Sequence, residues 1–363
     1  MANPIYSQHN CPQAITKSAV MRRFRYSLSQ RVWQGATLIA LLLGGSATAV
    51  LAGDPFRTSS PQSIDATTEA AFRAMFEAGD YAQAAGYLAE AEESGAADPM
   101  AYGMLASLAY LNQDWGAIQN YANQTLTAAK NLESSSPLRS HLYQAIGHFL
   151  EGAYILSPAG SGTVAGVPAA LGKLQQVYRE LDRAEKIDAT DPELNLVEGF
   201  MNLMIAVNLP LVSSDDAIAQ LDQHAQPQHI AQRGIAVAYR DLKQYDAALA
   251  KVNAAIAANP SENPELYYLR AQIIVGQGLA AENLDLLNTA QADFRRALAR
   301  SSQLPKESVA QIYREYCRNQ TRLDNQGYDC GAGQREILAT EGLWGPETLP
   351  DDLPGLALNT TER

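Results

Sequence analysis

Cysteine is scarce in this chain, three among 363 residues, and histidine is little commoner at five. So small a thiol count excludes a disulfide-dense scaffold and a four-thiolate metal site. The histidines form neither His-Glu-x-x-His nor any Cys/His zinc spacing. Gly-x-Ser-x-Gly is absent, and no glycine-rich stretch ends in Gly-Lys-Ser/Thr, so the common nucleophile and phosphate-loop signatures are missing. Strict apolar/polar alternation is rare, which removes most strand signal. Beyond residue 52 no apolar run is long enough to span a bilayer. Acid is missing from the first 52 residues, which carry Lys17, Arg22, Arg23, Arg25 and Arg31. The remainder holds 22 basic residues against 39 acidic ones, a net of −17. A body of that sign repels nucleic acid and anionic lipid, so no nucleic-acid partner is expected.

What is present begins with an address. From Met21, MRRFRYSLSQRVWQ is followed by GATLIALLLGGSATAVLA and then Gly53-Asp54-Pro55. A basic stretch, a short leucine-rich run and small residues at −3 and −1 make an export signal, residues 1–52, with Met21 as the expected start and cleavage expected after Ala52. The alternative is an uncleaved anchor, the one membrane contact expected. The compartment is then the periplasm or, where the source has one, the thylakoid lumen. Residues 53–63, rich in Ser, Thr and Pro, read as a linker.

The mature part, residues 64–320, is alanine-rich with apolar residues three and four apart, the helical period. It repeats itself. Gly79-Asp80-Tyr81 precedes Ala84, Leu88 and Ala91. Lys243-Gln244-Tyr245 precedes Ala248, Val252, Ala255 and Pro260, and Gln113-Asp114-Trp115 precedes Ala117 and Ile118. An aromatic in a tight turn, followed by small residues at these intervals, resembles the tetratricopeptide (TPR) repeat. His229 to Glu262 is the best unit: Ile235 and Ala236 stand at positions 7 and 8, Tyr239 at 11, Tyr245 at 17, Ala248 at 20, Ala255 at 27 and Pro260 at 32. Gln232 departs from the pattern at position 4, where the family prefers tryptophan. The resemblance implies an all-α, TPR-like α-solenoid of about five to six antiparallel helix pairs with a C-terminal capping segment. The whole is similar to exported TPR-repeat proteins of the kind found in cyanobacteria.

Such proteins usually act as interaction scaffolds. The resemblance therefore implies a non-enzymatic module that binds a protein or peptide, of unknown identity, in a concave groove, with no cofactor or metal. In the best repeat the groove positions are Ile230, Arg233, Val237 and Arg240, joined from the next unit by Tyr267 and Ile274. Arg233 and Arg240 are two turns apart on one face, suited to an acidic group, although a solvated basic face reads the same way. The alternative function is a solute-binding protein or enzyme using the glycine-rich insertion Ser157–Pro168 over a pocket. His148 and Glu151, three apart, could form a weak metal pair. In the polar segment 321–363, Cys330 follows Cys317 of the last predicted helix, Lys306–Asn319. Two cysteines left in an oxidising compartment predict one disulfide.

Overall fold

The chain is described by a computed structural model over residues 53–95, 98–208, 213–351 and 353–356, so the expected export signal lies outside the described residues. Among these residues the protein is all-helical, with fifteen helices and no strand. They are α1 (Ala66–Phe72, continuing as a π-helical turn Arg73–Ala78), α2 (Tyr81–Glu93), α3 (Pro99–Leu111), α4 (Trp115–Asn131), α5 (Pro137–Leu156), α6 (Gly162–Ala165), α7 (Val167–Glu185) and α8 (Pro192–Asn208). The chain goes on through α9 (Asp215–Gln223), α10 (Gln228–Asp241), α11 (Tyr245–Ala258), α12 (Pro264–Ala280), α13 (Leu284–Leu298), α14 (Lys306–Asp324) and α15 (Cys330–Ala339). Each long helix packs on its neighbour in sequence order, as in an α-solenoid.

Local chemistry sets the helix boundaries. Proline opens α3, α5, α8 and α12, where its missing N–H costs nothing and its fixed φ suits the first turn. Asp65, Asp80, Asp98, Asp114, Asn263 and Asn283 accept backbone N–H bonds at the starts of their helices. Four inter-helix turns share one construction. Gly79, Gln113, Lys243 and Glu282 take left-handed φ of 66°, 56°, 60° and 50°. The next residue then donates its N–H back over the finished helix: Asp80 to Ala74, Asp114 to Ala109, Gln244 to Tyr239 and Asn283 to Gly278, at 2.8–2.9 Å. This satisfies a carbonyl of the finished helix, and at Asp80, Asp114 and Asn283 the same residue's side chain caps the next one.

Small residues allow close approach between helices. Ala84, Ala248, Ala255, Ala290 and Ala297 are wholly buried. At Gly234 even a methyl group would fall 1.9 Å from the Phe200 ring, so α8 and α10 meet there only through glycine. Ala255→Leu is expected to cost ~1–3 kcal/mol by overpacking. Chemical denaturation reads this directly, and an unchanged midpoint would place Ala255 outside a helix interface.

The C-terminal segment closes the array. Cys317 and Cys330 are joined with their Cα atoms 5.5 Å apart, pinning α15 to α14. Chain beyond α15 pairs with the start of α14 through Lys306 N–H to Leu343 O (3.0 Å) and Gly345 N–H to Leu304 O (2.8 Å). The polar reading of 321–363 therefore needs amendment, because Leu349, Leu353 and Leu356 are buried in the main core. Thiol labelling of the denatured, unreduced protein should find neither Cys317 nor Cys330 free. Reduction should remove about 3 kcal/mol of loop-closure stabilisation while the leucines keep the tail in place.

Candidate functional site

The segment expected as a linker is built into the fold. Asp54 accepts the Phe56 and Arg57 N–H groups on one carboxylate oxygen and the Gln62 N–H on the other, folding 54–62 into a tight loop. Phe56 stacks edge-on against Phe72 (5.5 Å between centroids), and Phe72 packs on Phe76 at 5.4 Å. Arg57 crosses to the start of α8. Its Nε lies 2.7 Å from Asp191 and one Nη 2.8 Å from Glu193, while the other reaches Asp54 at 3.0 Å. Asp191 meanwhile caps α8 by accepting the Leu194 N–H. Tyr143 donates to Glu193 (2.7 Å), and Arg139, 5.0 Å from the Tyr143 ring centroid, lies between Glu193 (3.4 Å) and Asp98 (3.5 Å). The linker reading failed because one aromatic and one guanidinium outweigh the Ser/Thr/Pro composition around them.

Four carboxylates thus face two guanidinium groups, all nearly solvent-free. The N-termini of α3 and α8 supply the remaining positive potential, since Asp98 and Asp191 are their caps and Glu193 sits in the first turn. Burial pushes Glu193 up, but Arg139 and Arg57 outweigh it and hold its carboxyl below the usual range. Asp98 is pushed up by burial, with Arg139 too distant to compensate. Asp191 is also raised by burial, despite Arg57.

A second seat lies at the start of α12. Asn259 and Asn263 donate side-chain N–H bonds to the carbonyls of Glu77 (2.7 Å) and Phe76 (3.2 Å). Tyr81 donates to Glu265 at 2.9 Å, and Arg233 of α10 reaches the same oxygen at 2.9 Å. Ser136, preceding α5, donates to Gln62. Residues 54–81 therefore span the starts of α5, α8 and α12.

This arrangement decides where the expected groove residues lie. Ile230, Arg233, Tyr267 and Ile274 are buried, and Val237 and Arg240 half-buried. Arg233 is engaged by Glu265 beneath Tyr81. Tyr267 lies on the α13 side, its ring centroid 4.3 Å from the Arg296 guanidinium and 5.4 Å from that of Arg270. Arg240 instead meets Gln272 (2.5 Å) and Asp241, and Gln272 donates on to Tyr268 and to Glu315 of α14. Repeat spacing flagged neither Glu265 nor Gln272.

Two histidines are engaged by carboxylates. His141 Nδ1 lies 2.9 Å from Glu180 and His148 Nδ1 2.8 Å from Glu151, which also binds Lys173 at 2.6 Å. Glu151 of the possible metal pair is thus occupied by an ammonium group. Among the described residues no group of three or more His, Cys, Asp or Glu is placed to hold a metal ion. His229 is buried, and neither ring nitrogen has a hydrogen-bond partner among the described residues. Burial, reinforced by Arg233, pushes its pKa down to about 3. A cleft of about 360 Å³ opens between α7, α8 and α9, lined by Tyr178, Asn202, Ile205, Asp216 and Gln220 among others, and with no lining residue from 157–168.

No protein-family model and no curated protein matches the chain. The deep networks neutralise charge and anchor chain segments. The half-exposed row Val237, Arg240, Gln272 and Glu315 offers both hydrogen-bond donors and acceptors at the surface.

Proposed function

We propose that the protein is a non-enzymatic interaction scaffold of TPR-like helix pairs, exported to the periplasm or a lumen, that binds a protein or peptide. The observation that carries this reading is the recurrence of one turn construction at Gly79, Gln113, Lys243 and Glu282 in an array whose helices pack in order. The chain's own α1–α2 segment covers Arg233, so the partner-facing row is the half-exposed one centred on Arg240 and Gln272. A peptide laid there would exchange hydrogen bonds with Gln272 and Arg240 and place a charge between Arg240 and Glu315. The alternative pocket beneath Ser157–Pro168 gains no support from the cleft, which lies elsewhere.

The test is affinity capture from envelope extract with wild type and Arg240→Glu in parallel. The expected result is a partner retained by wild type and lost from a variant with the same circular dichroism. Identical sets retained by both would remove this row as the binding surface. A specific small molecule co-purifying in place of any polypeptide would replace the scaffold reading.

A further inference from the structure

The cleft between α7, α8 and α9 has a volume of about 360 Å³, within the range of about 300–1,000 Å³ usual for small-molecule sites. Tyr178 of α7, Asn202 and Ile205 of α8, and Asp216, Ala217 and Gln220 of α9 line it. Its polar groups are unequally satisfied. Tyr178 commits its hydroxyl proton to Asn202 Oδ1 at 3.0 Å. Gln220 Nε2 donates to Glu198 at 2.7 Å and to Asn195 at 3.2 Å, which uses both of its protons. Asn202 Nδ2 reaches Gln220 Oε1 only at 3.5 Å. Lone pairs on the phenol and on both amide oxygens remain available, together with the carboxylate of Asp216. The donors left to face them are the Asn202 amide and the hydroxyl of Ser213, which also lines the cleft.

Charge has the sign of this acceptor surplus. Among the described residues no lysine, arginine or histidine lines the cleft. None occurs anywhere from Ile187 to Gln223, a stretch that includes all of α8 and α9. Burial pushes the pKa of Glu198 up, and Glu185 and Asp182 push it further, against the Gln220 hydrogen bond. The dipole of α9 is positive at its start, but Asp215 and Asp216 both stand in its first turn and reverse the sign there.

We propose that this cleft binds an aliphatic primary ammonium group, carried by a small amine or by a lysine side chain. An ammonium has three protons and no lone pair, which complements a wall with acceptors in excess. Its protons go to Asp216 and the amide oxygens, while its carbon chain lies on Ile205, Ala217 and the Tyr178 ring. A cleft lined by one sign of charge concentrates ions of the other, so anionic ligands are turned away. The site is separate from the Arg240 row, and either can fail alone.

Titration calorimetry of the full chain with pentane-1,5-diamine, Nα-acetyl-lysine methylamide, pentan-1-ol and pentanoate tests the proposal. At least one amine is expected to bind saturably at or below about 1 mM, a range suited to so small a ligand. It should bind at least tenfold more tightly than the alcohol or the acid, and the tighter amine identifies the source of the ammonium. Asp216→Asn should weaken the amine at least tenfold. Asp215→Asn, the same change one residue away and outside the lining, should alter it less than twofold. Absence of saturation by both amines at ten times that concentration would overturn the proposal. So would equal binding of pentan-1-ol, which would reduce the cleft to an apolar contact, or equal losses in the two variants, which would assign the effect to the general field of the acidic body. The comparison among ligands uses the wild type alone and stands even if Asp216→Asn loses its fold.

Discussion

Replacing Arg57 by alanine is expected to destabilise the protein by ~3–5 kcal/mol, the range for stripping one partner from a buried ion-pair network. The guanidinium bonds Asp54, Asp191 and Glu193 at 3.0 Å or less, and the side chains of Asp54 and Glu193 have no solvent exposure. Removing it leaves Glu193 with Arg139, at 3.4 Å, and takes the guanidinium from Asp54 and Asp191. Whole domains are stable by only about 5–15 kcal/mol, so the variant should stand near the edge of folding at ambient temperature. Arg57→Lys should recover part of the loss, because it keeps the charge and forfeits the planar fork. Urea denaturation followed by circular dichroism checks both variants. A loss under about 1 kcal/mol for Arg57→Ala, the value of an exposed pair, would mean the segment is not seated.

Acid should destabilise the wild type through His229, and His229→Leu should remove that part of the pH profile. The buried imidazole titrates near 3 in the folded protein and near 6.5 in the unfolded chain. Between those values the unfolded chain binds more protons, so its contribution is complete above about pH 6.5 and is lost as pH falls toward 3. The full difference is on the order of 5 kcal/mol. Glu193, held low in the fold, adds to the acid loss only below the ordinary carboxylate range. Glu77 acts in the opposite sense. Burial raises its pKa to about 7, against the pull of Arg73, so its favourable contribution is present at low pH and lost as pH rises through 7. The two slopes oppose each other between about pH 4.5 and 6.5, so the wild-type profile should be nearly flat there and fall on either side. Glu77→Gln should expose an acid slope in that interval, and His229→Leu a slope of the opposite sign. A Glu77→Gln profile with no acid slope between pH 6.5 and 5 would contradict the buried, neutral imidazole.

The sequence discloses what is local. Helical period, the aromatic turns at Tyr81, Trp115 and Tyr245, and buried alanines such as Ala248 and Ala255 all repeat at short range, and the array follows from them. The pairing of Cys317 with Cys330 follows from counting thiols. The seat of the N-terminal segment was not legible, because Arg57 and its partner Asp191 are 134 residues apart and Tyr81 and Glu265 are 184 apart. No periodicity links such residues. Arg233 illustrates the consequence: the expected repeat register reads it as a groove residue, and only Tyr81 and Glu265, far off in sequence, decide that it is buried. Tyr267 shows a smaller slip, in which an inferred register put a ring in the groove that packs instead between Arg270 and Arg296. The glycine-rich insertion Ser157–Pro168 was visible in the sequence, and it holds the short helix α6 that links α5 to α7.

The claim on which the rest depends is that α1 and α2 dock on the start of α12, and a double-mutant cycle between Tyr81→Phe and Glu265→Gln measures it. Both side chains share one 2.9 Å hydrogen bond in a buried setting with Arg233. Residues in contact within one network couple by about 0.5–3 kcal/mol, whereas distant sites add within about 0.3–0.5 kcal/mol. The docked arrangement predicts a coupling of roughly 1 kcal/mol or more between these two positions. Additive effects would place Tyr81 away from Glu265 and contradict the seating of the N-terminal segment in the array.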